Sequence, residues 1–270
     1  MNFIRAVHAD KDGTLMLSED RNKSVIENLC ADLGFLTDMD ISERHAYWLE
    51  HLWPICEGQP EIKILQIVRD SLPELKLSTL FNEKPSTTIA PAEFERLCKE
   101  GYDARHNEVT AREGIFELLT ELKQGGTLLS LVTSSDTRST EMDFSLVFDV
   151  AKDGYGFFDA VVTSDDITDP KHKKPAPTPY LYACAEIEIL DTEYGHIALE
   201  DSAVGTASAV RAFGDGDNLV IRFTDEPLPD NAPACLRHAR DIVEAREHIT
   251  TFQGNLYNRY RLQGNDLQIN

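Results

Sequence analysis

The sequence has little positive charge. Its 270 residues include 26 Lys and Arg against 47 Asp and Glu, which gives a net charge of -21. A field of that sign opposes general binding to nucleic acid or to an anionic membrane surface. We therefore expect neither as a partner, and any bound phosphate must be held locally by a metal ion or by a few placed cations.

The sequence also lacks any cysteine pairing pattern. Its five cysteines lie far apart, at positions 30, 56, 98, 184 and 235, and no C-x-x-C pair occurs. An odd number of cysteines without paired spacing predicts neither a disulfide framework nor a zinc site. The simplest interpretation is reduced thiols in a cytosolic protein.

Long apolar runs are missing as well. No segment approaches the roughly 18 consecutive apolar residues that a membrane-spanning helix needs. The first dozen residues include Arg5, His8, Asp10 and Lys11, which interrupt the apolar core that a signal peptide requires. We therefore expect a cytoplasmic protein without membrane association.

From about residue 113 onward, apolar runs of strand length alternate with amphipathic helical segments. Continuous apolar strands that alternate with helices predict a parallel sheet covered on both faces. The fold class is therefore α/β, with a Rossmann-like parallel sheet core. The predicted strands are FIRAVHA at residues 3–9 and the runs that begin at Thr127, Asp159, His196 and Asn218.

Between residues 16 and 110 the alternation stops and the pattern is mainly helical. The aromatic stripe of Trp48, Leu52 and Trp53 is interpreted as core packing rather than a ligand-binding box. Further helices are predicted at about 178–189 and from Arg237. The predicted organisation is an α/β core at 1–15 and 111–250, a helical insertion at 16–110 and a polar C-terminal tail at 251–270.

Polar residues follow several of the predicted strands. Asp10 and Asp12 follow the first strand, Thr133 ends the second, and Glu200 and Asp201 end another. Because ligands gather at the carboxyl ends of parallel strands, we expect these positions to converge at one edge of the sheet. Each motif alone also fits a plain structural role, such as an acidic turn or a helix cap.

Four motifs in order resemble the haloacid dehalogenase (HAD) superfamily. They are DKDGT from Asp10, the apolar strand ending at Thr133, KPAP from Lys174, and EDSAVG from Glu200. The pattern is similar to the branch that contains beta-phosphoglucomutase and phosphoglycolate phosphatase. In this resemblance the helical insertion corresponds to an α-helical cap domain.

The resemblance implies a set of roles. Asp10 would be the nucleophile that forms an aspartyl-phosphate, and Asp12 would be the general acid and base. Thr133, Ser134 and Lys174 would bind the phosphate group of the substrate. Mg2+ would be the cofactor, held by Asp10, the Asp12 backbone carbonyl and Asp201, with Glu200 as a direct or water-mediated ligand.

Two residues depart from the resembling pattern. His8 and Lys11 stand where apolar residues are common. His8 is interpreted as a buried strand histidine rather than a catalytic group. The Lys11 side chain is expected to point away from the nucleophile, because side chains alternate along a strand.

The function we predict is a magnesium-dependent phosphatase that acts on a small phosphorylated metabolite, as a monomer or homodimer. A sugar phosphate mutase is the first alternative. The resembling mutases carry a G-x-x-R segment in the cap, whereas the best match here is GQPE, which ends in Glu61. The second alternative is a non-catalytic binding or regulatory protein, which the presence of Asp10, Asp12, Lys174 and Asp201 disfavours.

Overall fold

The computed structural model describes residues 3–34, 39–56, 59, 61–71, 89–147, 156–214 and 216–262. The chain divides into two compact units. The first is Met1–Leu17 with Thr110–Asn270, and the second is Ser18–Val109. The second unit falls within the insertion predicted at residues 16–110. No helix in the described part of the chain is long and apolar enough to cross a membrane.

The first unit is built on a parallel sheet. Its six described strands have the order β5-β4-β1-β6-β7-β8, and each neighbouring pair runs parallel. This confirms the predicted α/β class. The strands are β1 (Ala6–Ala9), β4 (Leu128–Val132), β5 (Ala160–Val162), β6 (Tyr194–Glu200), β7 (Asp217–Phe223) and β8 (Leu236–Ala239), while β2 (Met16–Leu17) and β3 (Thr110–Ala111) form a separate antiparallel pair.

The second unit is helical in its described residues. Trp48, Leu52 and Trp53 are buried in its core, as predicted, together with residues such as Phe94 and Cys98. The helices are α1 (Glu19–Asp32), α2 (Ile41–Tyr47), α3 (Trp53–Cys56), α4 (Glu61–Ser71) and α5 (Pro91–Ala104), and a π-helical stretch, Trp48–Leu52, joins α2 to α3.

Five helices accompany the parallel sheet in the described part of the first unit. They are α6 (Ile115–Gln124), α7 (Thr137–Val147), α8 (Thr178–Glu186), α9 (Ala203–Phe213) and α10 (Ile242–Leu262). The helix predicted to extend to about residue 189 therefore ends at Glu186. Tyr180 and Phe213 are buried in the core that α8 and α9 share with the sheet.

Two predictions near the C-terminus were wrong in part. The segment from Arg237 was predicted as helix, and α10 does cover it from Ile242, but Leu236–Ala239 is the edge strand β8, which pairs with β7. Residues 251–262 were predicted as part of a polar tail, but they continue α10, where Leu256 is buried and Tyr257 contacts Phe3. Two of the four residues of β8, LRHA, are polar, so this strand does not form the apolar run that predicts a buried strand. Residues 263–270 lie outside the described residues.

His8 and His196 form a buried hydrogen-bonded pair between β1 and β6. His196 Nε2 lies 3.0 Å from the Asp191 carbonyl oxygen, which can only accept, so this nitrogen carries the proton. His196 Nδ1 then accepts from His8 Nε2 at 3.0 Å, and His8 Nδ1 accepts from Ser130 Oγ at 2.6 Å. This arrangement is the one that two neutral rings adopt. Burial keeps both rings neutral near neutral pH, because it lowers the pKa of His8 and of His196 below the ordinary value near 6.5.

We expect this pair to make the protein acid-sensitive. Below about pH 6.5 the unfolded chain protonates both histidines and the folded chain does not, so the free energy of unfolding should fall by at most about 1.4 kcal/mol per pH unit for each histidine. Urea unfolding of metal-free protein between pH 7.5 and 5.5 measures this slope. The measurement is made in an Asp10→Asn background. Burial raises the pKa of Asp10 to about 7, so its protonation would stabilise the folded protein over the same pH range and oppose the slope.

In that background, His196→Gln should lose about half of the slope, because one of the two titrating groups is gone. Substitution of the exposed His172 by Gln is the matched control and should leave the slope unchanged. An equal slope in the His196→Gln and parent proteins would contradict the neutral pair.

Candidate active site

The candidate active site lies where β4, β1 and β6 end. Asp10 directly follows β1, and its backbone N–H donates to the Leu199 carbonyl at 2.9 Å, which extends the pairing of β1 with β6. Glu200 is the last residue of β6, and Asp201 follows it. Lys174 belongs to the loop between a short 3-10 helix, Pro170–His172, and α8.

Lys174 binds this edge of the sheet through its ammonium group. Nζ donates to Asp10 Oδ1 at 2.7 Å, to Glu200 Oε1 at 2.6 Å and to the Val132 carbonyl at 2.9 Å. The side chain is 5% exposed. An ammonium has three N–H donors, so these three acceptors satisfy it completely. One buried cation thus joins the ends of three strands.

Asp10 and Lys174 shift each other's pKa, and the charge of Glu200 acts on both. Burial raises the pKa of Asp10 to about 7, where Lys174 opposes the rise and the charges of Glu200 and Asp12 add to it. Burial works against the charge of Lys174, but Asp10 and Glu200 more than offset it and raise the pKa of the ammonium. Lys174 therefore stays charged near neutral pH, while Asp10 is near its midpoint in the metal-free protein.

The Glu200 side chain is fully buried, and only one of its two carboxylate oxygens accepts hydrogen bonds from the described residues. Its Oε1 accepts hydrogen bonds from Lys174 and from the Tyr180 hydroxyl. Its Oε2 has no hydrogen-bond partner among the described residues. The carboxylate lies against Gly205 in α9, where any Cβ would collide with it. An ionised oxygen left without a partner in a buried site is costly unless a cation binds it.

Asp201 is held by the loop that follows Asp10. Gly13 adopts a positive φ of 72°, and a Cβ there would collide with the Asp201 carboxylate. Thr14 Oγ1 lies 3.5 Å from Asp201 Oδ1, and Arg222 Nε donates to the Asp201 carbonyl at 2.8 Å. The glycine is therefore required both by the backbone conformation and by the close approach of the carboxylate.

The residues present fit a divalent cation. Carboxylate oxygens of Asp10, Glu200 and Asp201 lie within 4.8 Å of one another. Mg2+ prefers oxygen ligands and is usually bound through one or two carboxylates together with water and phosphate oxygens. The unpartnered Glu200 Oε2 and the small residue at Gly13 are consistent with such an ion.

Asp12 lies in a different hydrogen-bonding environment from Asp10. Its Oδ1 accepts from Lys11 Nζ at 2.9 Å, and its Oδ2 accepts from Ser135 Oγ at 2.6 Å. Lys11 also forms an ion pair with Asp143 of α7. Burial by itself lowers the pKa of Lys11, but Asp12 and Asp143 more than offset it, so the pKa is raised. The side chain of Lys11 was expected to point away from the nucleophile by strand alternation. Because β1 ends at Ala9, strand alternation does not set its direction, and its ammonium contacts Asp12 and Asp143.

The structure brings together most, but not all, of the residues singled out in the sequence. Thr133 is buried, its Oγ1 accepts from the Ser135 N–H at 3.0 Å, and it follows the Val132 carbonyl that Lys174 binds. Ser134 is exposed. The hydroxyl that contacts Asp12 belongs to Ser135, which the sequence showed only as one member of a hydroxyl cluster.

Other residues of the site were missed. Tyr180 and Asp143 lie on helices, and neither belongs to a motif. Arg112 braces the loop after Asp10 by donating to the carbonyls of Gly13 and Thr14. Each of these contacts depends on how a distant element packs, so the sequence carries no local signal for them.

Comparison with known proteins identifies the family. The model of the haloacid dehalogenase-like hydrolases matches residues 10–213. This range contains all four motifs and most of the chain, and the chain belongs to this family.

Two curated relatives are similar in sequence. The pyrophosphatase PpaX of Bacillus velezensis is 39% identical over 85 residues, which are 31% of this chain and 35% of that protein. The matched stretch is thus about a third of that relative's length. The protein CbbY of Cereibacter sphaeroides is 25% identical over 219 residues, which are 77% of this chain and 80% of CbbY.

The fold is similar to that of CbbY from Rhodobacter sphaeroides, solved in complex with phosphate. The TM-score is 0.62 at 21% identity, and the match covers 89% of this chain and 96% of that chain. A variant of the same protein was solved in complex with xylulose-(1,5)bisphosphate.

The raised pKa of Asp10 predicts that this carboxylate destabilises the metal-free protein. Since the folded pKa is about 7, the stabilising effect of the protonated form is complete below the unfolded pKa near 3.8 and is lost as the pH rises through 7. At pH 8 in EDTA, Asp10→Asn should therefore have a higher Tm than wild type. Its free energy of unfolding should be higher by at most about 4 kcal/mol. Thermal unfolding measures it.

Added Mg2+ should raise the Tm of wild type and have much less effect on Asp10→Asn, because an ion that binds the folded state stabilises it. The exposed Asp230 provides the control substitution, Asp230→Asn, which should respond to Mg2+ as wild type does. A lower Tm for metal-free Asp10→Asn, or an unchanged response to Mg2+, would argue against this site.

Proposed function

We propose that this protein is a magnesium-dependent phosphatase that hydrolyses a small phosphomonoester through an aspartyl-phosphate on Asp10. The observation that supports it most directly is the buried group formed by Asp10, Lys174 and Glu200 at the sheet edge. It combines a carboxylate nucleophile with a fixed cation beside it, which are two requirements for attack on an anionic phosphate.

In the first step, an Asp10 carboxylate oxygen attacks the phosphorus atom in line with the ester bond. The bond between phosphorus and the leaving oxygen breaks, and Asp12 gives its proton to that oxygen. The product alcohol leaves, and the phosphoryl group remains on Asp10 as an acyl phosphate. Lys174 orients Asp10 and favours the ionised form that attacks.

In the second step, water attacks the phosphorus atom of the acyl phosphate. Asp12, now ionised, accepts a proton from this water, and the bond between phosphorus and the Asp10 oxygen breaks. Inorganic phosphate and the free Asp10 carboxylate are formed. Asp12 thus acts first as an acid and then as a base, which returns it to its starting protonation state.

The residues that would hold Mg2+ are Asp10, Asp201, the Asp12 backbone carbonyl and Glu200, directly or through water. When bound, the ion neutralises the negative charge that the nucleophile and the phosphate bring together. Thr133 is proposed to bind the phosphate oxygens, and Lys174 is proposed to bind them by exchanging one of its three present acceptors for a phosphate oxygen. Ser134, which is exposed, is proposed as a further phosphate contact.

A sugar phosphate mutase is the second candidate. The similar CbbY protein binds phosphate and xylulose-(1,5)bisphosphate, which favours phosphorylated sugars as the first substrates to test. A mutase must also bind a second anionic group, and Glu61 stands where the resembling mutases carry arginine. Burial raises the pKa of Glu61, and Tyr102 hydrogen-bonds its side chain. Gly58 and Pro60 of this segment lie outside the described residues.

The proposal predicts release of inorganic phosphate from small phosphomonoesters. A panel with hexose phosphates, pentose phosphates, phosphoglycolate and 4-nitrophenyl phosphate should give turnover with Mg2+ and none with EDTA. Asp10→Asn should abolish it, a loss of at least about 10³-fold, because the amide is not a nucleophile. Colorimetric phosphate determination is the measurement.

The charge-matched control is Asp230→Asn, which removes an exposed carboxylate and should retain full activity. Interconversion of sugar phosphates without phosphate release, followed by NMR, would favour the mutase instead. Phosphate release that survives Asp10→Asn would contradict the assignment of the nucleophile.

A further inference from the structure

Lys11 is a buried lysine at the centre of a group of charged residues. Its side chain is 1% exposed, and Asp143 beside it is 2% exposed. Lysine is almost never fully buried unless an acidic partner accompanies it. Lys11 has two such partners, Asp12 in the candidate active site and Asp143 on α7, more than a hundred residues away in sequence.

Stability alone gives a weak reason for this arrangement. Removing an ammonium and a carboxylate from water costs several kcal/mol for each ion, and well-packed apolar residues of similar volume are often at least as stabilising. The arrangement instead has one geometric consequence. It links the carboxylate of Asp12 to α7 through a single cation.

The contacts of Lys11 also distinguish the two oxygens of Asp12. An ammonium only donates hydrogen bonds, so Oδ1, which Lys11 binds at 2.9 Å, is restricted to accepting. Oδ2 contacts the Ser135 hydroxyl at 2.6 Å. A hydroxyl can either donate or accept, so it can bind Oδ2 with or without a proton. Oδ2 is therefore the oxygen suited to proton exchange.

We propose that Lys11, anchored by Asp143, is a positioning residue that fixes the Asp12 carboxylate with Oδ2 directed to the leaving oxygen of the substrate. This inference rests on the proposed phosphatase function for its catalytic consequence. Lys11 itself touches no reacting atom. Without it, Asp12 remains present and keeps its contact with Ser135, but it loses the ion pair that holds Oδ1.

The test uses a charge-balanced double variant, Lys11→Met with Asp143→Asn. Lys11→Met alone leaves Asp143 buried without this cation and can fail to fold. The double variant removes one positive and one negative charge together. The matched control is Lys99→Met with Glu95→Gln, which removes a partly exposed pair on α5.

The first readout is the dependence on the leaving group. An alkyl phosphate needs a proton from Asp12 to release its alcohol, whereas 4-nitrophenyl phosphate does not. The kcat/KM value reports the steps up to the first irreversible one, which is transfer to Asp10. For the double variant we expect a loss of about 10- to 100-fold with the alkyl ester and about 3-fold or less with the nitrophenyl ester.

A merely structural role for Lys11 predicts a different result. The kcat/KM values for the two esters would then fall by the same factor, or the folded double variant would retain wild-type activity. Either outcome would overturn the proposal. The Lys99 and Glu95 control should keep the wild-type ratio between the two esters.

The second readout does not depend on turnover. In a crystal structure of the double variant, we expect the Asp12 carboxylate to adopt another rotamer or several, and an unmoved Asp12 would overturn the proposal. If wild type hydrolyses neither ester, the proposed function fails, while this structure still decides whether Lys11 orients Asp12.

Discussion

Lys174 makes it possible for acidic residues to lie side by side in a buried site. Asp10 and Glu200 repel each other and are both withdrawn from water, and Lys174 donates a hydrogen bond to each. Its third hydrogen bond, to the Val132 carbonyl, ties the pair to the end of β4. The same contacts that relieve the repulsion therefore fix the geometry of the proposed nucleophile.

The sheet topology explains why residues so far apart in sequence can meet. β1 lies between β4 and β6, and all three run parallel, so their carboxyl ends share one edge. Asp10 follows β1, Thr133 follows β4, and Glu200 ends β6. Asp12 belongs to the same loop as Asp10 but is held separately, by Lys11 and Ser135. The two aspartates thus have different environments, which suits the proposed roles of Asp10 as nucleophile and of Asp12 as proton donor.

The sequence was sufficient for the parts of the molecule that follow from local patterns. Apolar runs such as TLLSLVT identify buried strands, and polar residues at their ends identify the edge where Asp10 and Glu200 meet. It could not give the burial of Lys11, the contact of Ser135 with Asp12 or the pairing of Tyr180 with Glu200. These depend on how α7 and α8 pack, which no local period encodes. The edge strand β8 was missed because two of its four residues, LRHA, are polar, so it does not form an apolar run.

The most direct test of this account is chemical trapping of Asp10 during turnover. Protein mixed with substrate and Mg2+ is quenched in acid and reduced with borohydride, which converts an aspartyl-phosphate to homoserine, and the peptides are analysed by mass spectrometry. The account predicts homoserine at position 10, and only in samples that contain a hydrolysed substrate. Phosphate release without modification of Asp10, or with modification of another carboxylate, would contradict it.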